Sequence, residues 1–97
     1  MSYTDTILRI LAEAGEQGLS IRKIAHHVYN EQNSLFSDVD YDEIHRDVRN
    51  FLMRQSRHVN PMVEHGEKWG VYRLNRQSPE WKRHVVSLQR NDAEGRD

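Results

Sequence analysis

The chain has 97 residues, no cysteine and a formal net charge of −1 at pH 7. This length gives one domain with one modest core. The lack of cysteine excludes a disulfide framework and a zinc site built on thiolates. No apolar run approaches the roughly 20 residues of a membrane span, and the N-terminus lacks the plan of a signal peptide. We therefore expect a soluble cytoplasmic protein with no membrane association.

Charge is distributed unevenly along the sequence. Residues 1–40 carry six acidic and three basic side chains, and residues 41–90 carry six acidic and ten basic ones. Residues 91–97 add three acidic side chains and one basic one. An acidic front followed by a basic half is compatible with a nucleic-acid partner, and asymmetry of this size also arises without one. The low total charge argues against a protein that coats nucleic acid.

The first helix is predicted to begin with Thr4 or Asp5 as its N-cap and to stop at Gly15, which suits a left-handed C′ position. Residues 18–19 then form a short extended link. The apolar stripe of this helix consists of Ile7, Leu8, Leu11 and Ala14.

A second helix is predicted to follow, with Ser20 as its cap and an end near Asn30. The polar segment of residues 31–39 reads as a loop, in which Leu35 and Phe36 anchor the chain to the core. The apolar face of this helix consists of Ile21, Ile24, Ala25 and Val28.

The third helix has the strongest start signal in the sequence. Asp40 and Glu43 have the spacing of a capping box, in which the Asp40 side chain binds the N3 amide. Val39 and Ile44 have the spacing of a hydrophobic staple. Its predicted buried stripe consists of Tyr41, Ile44, Val48, Phe51 and Leu52.

Two antiparallel strands are predicted after the third helix, over residues 62–65 and 69–74, around a turn at 66–68. Strand alternation places Gly70, Tyr72 and Leu74 on one face and Trp69, Val71 and Arg73 on the other. Trp69 is interpreted as a core residue in preference to an interface residue. Because two strands alone are marginal, the segment at Leu19 is a candidate third strand.

A fourth helix is predicted from Ser78 as cap and Pro79 at N1. Its apolar stripe consists of Trp81, Val85 and Leu88. This stripe either folds back on the first helix or pairs with its copy in a homodimer. The expected organisation is a domain over residues 1–76, a C-terminal helix over 77–90 and a disordered tail over 91–97.

The order of helices and strands resembles the winged helix-turn-helix superfamily over about residues 4–75. It looks most like small winged helices of the HARE type, on the segments SIRKIAHHV and WGVYRL. The expected fold is α+β but mainly α: a winged helix with a three-helix core, a small antiparallel β-hairpin wing and an extra C-terminal helix. The predicted connection between helices two and three, residues 31–39, is longer than in the simplest helix-turn-helix.

The resemblance implies DNA binding through the third helix, with the wing beside it, in a transcription-associated module. Arg46, Arg49 and Asn50 are then the candidates for the major groove, because arginine and asparagine suit guanine and adenine edges. The candidates for phosphate contacts are Arg54, Arg57 and Lys68.

Two other interpretations of these residues stay open. The charged face of the third helix reads equally as ordinary solvated surface. A winged helix also serves as a protein-interaction or homodimerisation module without direct DNA binding. The candidate interaction residues for that function are Met53, Trp81, Val85 and Leu88.

The six histidines lack the spacing of a metal motif. There is no glycine-rich phosphate loop and no elbow-like serine motif. We therefore expect no metal, no cofactor, no small-molecule substrate and no enzymatic activity.

Overall fold

A computed structural model of the protein describes residues 3–35, 38–78 and 80–81. The described chain is a mainly helical α+β fold with three helices and a small antiparallel sheet. The helices are α1 (Thr4–Ala14), α2 (Ile21–Leu35) and α3 (Tyr41–Ser56). The strands are β1 (Leu19–Ser20), β2 (Val63–His65) and β3 (Val71–Leu74). A short 3-10 turn (Gly15–Gln17) leads from α1 to β1.

The sheet has the strand order β1-β3-β2. Leu19 lies opposite Tyr72 in the first pair, and Val63 lies opposite Leu74 in the second. The predicted third strand at Leu19 is therefore confirmed. A strand two residues long is stable only because β3 already packs on the helices.

The core lies between the three helices and one face of the sheet. The predicted stripes of all three helices contribute to it, and Tyr72 and Leu74 supply the sheet's inner face as the alternation indicated. The largest of the almost fully buried side chains in the described residues are Ile7, Leu8, Leu11, Ile24, Val28, Ile44, Val48, Leu52 and Val63. Each contributes about 1.5–3 kcal/mol by leaving water, so this cluster is the main source of stability.

The start of α1 differs from the prediction, while its end agrees with it. The N-cap is Tyr3, and its side chain makes no capping hydrogen bond, so Thr4 and Asp5 lie inside the helix. The C-cap is Gly15, whose φ of 77° is a conformation that residues with a Cβ rarely adopt. Gly18 also has positive φ, and its backbone lies against Tyr72.

The predicted end of α2 near Asn30 is wrong, because the helix continues to Leu35. Glu31 forms an ion pair with Arg9 of α1, and Gln32 is buried. These tertiary contacts hold a polar segment in helical form. The connection to α3 therefore covers residues 36–40, and the expected long loop does not exist. The cap at Ser20 is confirmed, since its hydroxyl accepts the Lys23 amide at 3.2 Å.

Helix α3 begins where the sequence predicted. The Asp40 side chain accepts a hydrogen bond from the Asp42 amide at 3.0 Å, one residue before the amide expected in a capping box. Val39 is half-buried against the core cluster that includes Ile44, in agreement with the staple spacing. Tyr41 and Phe51 flank the buried stripe and are half-buried.

The hairpin turn between β2 and β3 covers residues 66–70 and is wider than predicted. Gly70 has a φ of 79° and lies in the turn, so β3 begins only at Val71. Trp69 consequently has no strand neighbour to pack on and is fully exposed, at 101% of its reference surface. Its assignment to the core was wrong.

The described chain ends with Trp81 packed against the core. Its indole N–H donates to the Asn75 carbonyl at 2.7 Å, and the ring is half-buried. Trp81, the first residue of the predicted stripe, therefore packs on the protein's own core. Most of the predicted fourth helix, with Val85 and Leu88, lies outside the described residues. The predicted tail and the predicted anchor Phe36 lie outside them as well.

Candidate nucleic-acid interface

The outer face of α3 carries the predicted groove-reading residues. Arg46, Asn50 and Arg57 are exposed, and Arg49 and Arg54 flank them, exposed as well. From Arg46 to Arg57 the face extends about 16 Å along the axis, at the ordinary rise of an α-helix. The core stripe on the opposite side holds this face outward.

The arginines of this face are free of ion pairs within the described part of the chain. The pairs present there join Arg9 to Glu13 and Glu31, and Arg73 to Glu64. Arg46, Arg49, Arg54 and Arg57 take part in none of them. Their guanidinium donors therefore face solvent and are available to an anionic partner.

Charge changes sign along α3. Asp42 and Glu43 occupy its first turn, where acidic side chains favour the positive end of the helix dipole. Arg54 lies in its last turn and Arg57 is the C-cap. The basic part of the helix is therefore its middle and its C-terminal end, and a polyanion would meet that part first.

An open groove of about 960 Å³ lies between the start of α1 and the outer side of α3. We call it the α1–α3 groove. It brings together four of the predicted residues: Asn50, Met53, Arg54 and Arg57. The remaining lining residues are Tyr3, Thr4, Ile7, Asp47 and Phe51.

Tyr3 links the α1–α3 groove to the acidic side of α3. Desolvation, together with the carboxylates of Asp47 and Glu43, raises the pKa of its phenol above the ordinary value. A tyrosine phenol is protonated at neutral pH, and this upward shift keeps it so to a higher pH.

Lys68 lies in a different groove, of about 640 Å³, between the start of α2 and the hairpin turn. We call it the α2–hairpin groove. Lys68 shares it with Lys23 and Ser20. The structure therefore groups Lys68 with α2, whereas Asn50, Arg54 and Arg57 face α1. Glu16 and Glu67 also line this groove and reduce its net charge.

The start of α2 is a basic surface that the sequence analysis did not single out. Arg22, Lys23, His26 and His27 are all exposed, and the first turn of α2 contains no acidic residue. The sequence did carry a signal for this basic surface, because Arg22 and Lys23 lie in the first turn after the Ser20 cap. The sequence analysis considered the histidines only as metal ligands. His26 instead makes an edge contact with Tyr41 of α3, with ring centroids 6.3 Å apart.

The described residues contain no group of three or more His, Cys, Asp or Glu side chains that could hold a metal ion. None of the described helices, of which α3 is the longest at 16 residues, combines the length and apolar character needed to cross a membrane. Comparisons of the chain with protein-family models, with curated proteins and with solved structures found no match. The described residues therefore show a fold class only, mainly helical α+β with a three-stranded antiparallel sheet.

Proposed function

We propose that the chain is a DNA-binding winged-helix module associated with transcription. Helix α3 enters the major groove, and the β2–β3 hairpin acts as the wing. Two features support this: the element order α1–β1–α2–α3–β2–β3, and a sheet in which the strand after α1 pairs with the last strand. In this arrangement neither the other described helices nor the sheet covers the outward face of α3.

The residues on that face have suitable chemistry for reading bases. An α-helix fits the width of the major groove, where arginine binds guanine in a bidentate way and asparagine does the same with adenine. Arg46, Arg49 and Asn50 are the exposed side chains in the middle of α3. In this proposal they contact base edges.

In this proposal the phosphate contacts come from two separate parts of the molecule. Arg54 and Arg57 lie at the C-terminal end of α3, and Lys68 lies on the hairpin turn. Arg22 and Lys23 at the start of α2 extend this set. Such contacts fix orientation and supply most of the salt-dependent affinity.

The observation that carries the proposal is the absence, within the described residues, of any ion pair to the exposed arginines of α3. Opposite charges at i, i+3 and i, i+4 spacing on a helix face are close enough to pair and stabilise the helix slightly. On α3, Asp42 and Glu43 lie within that spacing of Arg46, and no such pair forms. The arginines are thus available to phosphates and bases.

The test is a salt series of fluorescence anisotropy on a random-sequence duplex, starting at low salt. We expect binding that weakens steeply as salt rises. Arg46→Ala and Arg57→Ala should each weaken it, whereas Arg76→Ala, at an exposed site away from α3, should leave it nearly unchanged. No anisotropy change at low salt would contradict the proposal.

A second candidate function is a protein-interaction or homodimerisation module without direct DNA binding. The α1–α3 groove favours it, because Met53 is exposed there beside Phe51 and methionine makes adaptable contacts. This candidate predicts a salt-tolerant complex that Met53→Ala weakens. Light scattering on the full chain separates a homodimer, involving Val85 and Leu88, from a monomer that binds another protein.

A further inference from the structure

The hairpin turn presents one aromatic ring to solvent. Trp69 is 101% exposed, although tryptophan is among the residues that gain most from burial. No ring of the described chain stacks on it. The other large hydrophobic side chains exposed in the described chain are Met53 and Val59.

The turn that carries this ring is fixed at three points. The Gly66 amide donates to the Val71 carbonyl at 2.7 Å, and the Val71 amide donates to the Lys68 carbonyl at 3.2 Å. The Ile21 amide donates to the Gly70 carbonyl at 3.2 Å and joins the turn to α2. A ring on a fixed turn loses little conformational freedom when it binds a partner.

The surroundings of the ring indicate what kind of partner fits. Its sequence neighbours are Lys68 and Gly70, and Glu67 precedes them. The two other large hydrophobic side chains exposed in the described chain, Met53 and Val59, lie outside the turn. A protein hot spot normally lies within a desolvated apolar region. A single flat ring beside a cation matches an unpaired nucleotide, whose base can stack on the ring while its phosphate meets the cation.

Basic side chains adjoin the same turn. Lys68 and Lys23 line the α2–hairpin groove, and both are exposed and free of ion pairs within the described chain. Arg22, His26 and His27 continue this surface along α2. A strand whose base stacks on Trp69 therefore has cations within reach of its backbone.

We propose that Trp69 is a stacking site for an unpaired nucleobase, so that the module prefers DNA in which a single-stranded stretch adjoins the duplex held by α3. This inference rests on the proposed DNA-binding function and specifies its substrate class. A fully paired duplex offers Trp69 only sugar and phosphate, whereas a single-stranded overhang offers the face of a base.

The test compares the full chain with its Trp69→Ala and Trp69→Phe variants on two DNAs of the same sequence, a blunt duplex and one with a single-stranded overhang. The parent should bind the overhang DNA more tightly than the blunt duplex. Trp69→Ala should weaken overhang binding by about 5- to 150-fold, the equivalent of one stacked base, and blunt-duplex binding by less than about twofold. Trp69→Phe keeps a ring and should retain most of the preference.

Val59→Ala is the matched control, because Val59 is also exposed, at 93%, and lies outside the hairpin turn. It should leave both affinities unchanged. Equal affinity of Trp69→Ala and the parent for overhang DNA would overturn the inference, as would an equal loss on both DNAs. A parent that binds neither DNA at low salt would overturn the proposed function itself. A self-association lost in Trp69→Ala, with unchanged DNA binding, would reassign the ring to a protein contact.

Discussion

The amide of Ile21 donates a hydrogen bond to the carbonyl of Gly70, with nitrogen and oxygen 3.2 Å apart. The first residue of α2 is thereby joined to the last residue of the hairpin turn. Ser20 lies opposite Val71 in the adjoining strand pair, which continues the same connection. The basic start of α2 and the turn therefore form a single surface.

This surface leads to a prediction about Lys23 and Lys68. If both neutralise phosphates, Lys23→Ala and Lys68→Ala should each weaken DNA binding about equally on all sequences. The slope of log affinity against log salt should fall by about 0.9 for each lost contact. Anisotropy on two unrelated duplexes measures both quantities. An unchanged slope in both variants would remove the start of α2 and the turn from the DNA interface.

The close approach of Gly18 to β3 leads to a stability prediction. A Cβ there would lie 2.9 Å from the Tyr72 carbonyl carbon and 3.0 Å from the Arg73 Cβ, with φ at +69°. We expect Gly18→Ala to lower the free energy of unfolding by about 3 kcal/mol or more. Denaturant unfolding followed by circular dichroism measures it.

Gly15→Ala is the matched control for this prediction. Gly15 has a similar φ of +77°, but an added Cβ meets nothing within 4 Å. Gly15→Ala should lower the free energy of unfolding only by the cost of backbone strain, about 1–3 kcal/mol. If the two variants were equally stable, the contact between Gly18 and β3 would not be a constraint on the fold.

The cap of α3 leads to a third prediction. Asp40→Ala removes the hydrogen bond to the Asp42 amide and should lower the free energy of unfolding by about 1 kcal/mol. Asp38→Ala removes the same charge from an exposed residue just before the cap and should change it by less than about 0.5 kcal/mol. Chemical denaturation of both variants tests the difference. An equally large loss of unfolding free energy in Asp38→Ala would mean that the negative charge, and not the capping hydrogen bond, stabilises the helix.

Trp81 leads to a fourth prediction. Trp81→Phe keeps a ring but loses the donor to the Asn75 carbonyl, so we expect a loss of about 1 kcal/mol. Trp81→Ala also loses the half-buried ring and should cost about 1–3 kcal/mol, below the range of a fully buried tryptophan. Neither variant should change the molecular mass by light scattering. A fall in mass would show that Trp81 holds two chains together.

The parts of the fold that follow local rules were predictable. Helix α3 was located because Asp40 and Val39 provide its start signals within a few residues. The inner face of β3 followed from alternation at Tyr72 and Leu74. The buried stripes followed from helical periodicity, since burial on one side is repeated at each turn.

The pairing of Leu19 with β3 was anticipated, but other parts that depend on tertiary contacts were missed. The last turn of α2 looked like a loop, because its stabilising partner for Glu31 is Arg9, on another helix. Trp69 was assigned to the core because a tryptophan in a small domain usually packs. Gly70 turns the chain before β3 begins at Val71, so Trp69 lies in the turn and is exposed. The separation of Lys68 from Arg54 and Arg57 into two grooves requires the relative placement of helices, which no local pattern encodes.

The opposite environments of the two tryptophans make the chain suitable for optical measurements without a label. Trp69 is open to water and Trp81 is half-buried with its indole nitrogen bonded to a carbonyl. Soluble quenchers such as acrylamide or iodide should therefore extinguish emission from the first ring well before the second. The fluorescence of Trp69 then reports whether a ligand is bound at the hairpin turn. The fluorescence of Trp81 reports whether that ring remains packed on the core.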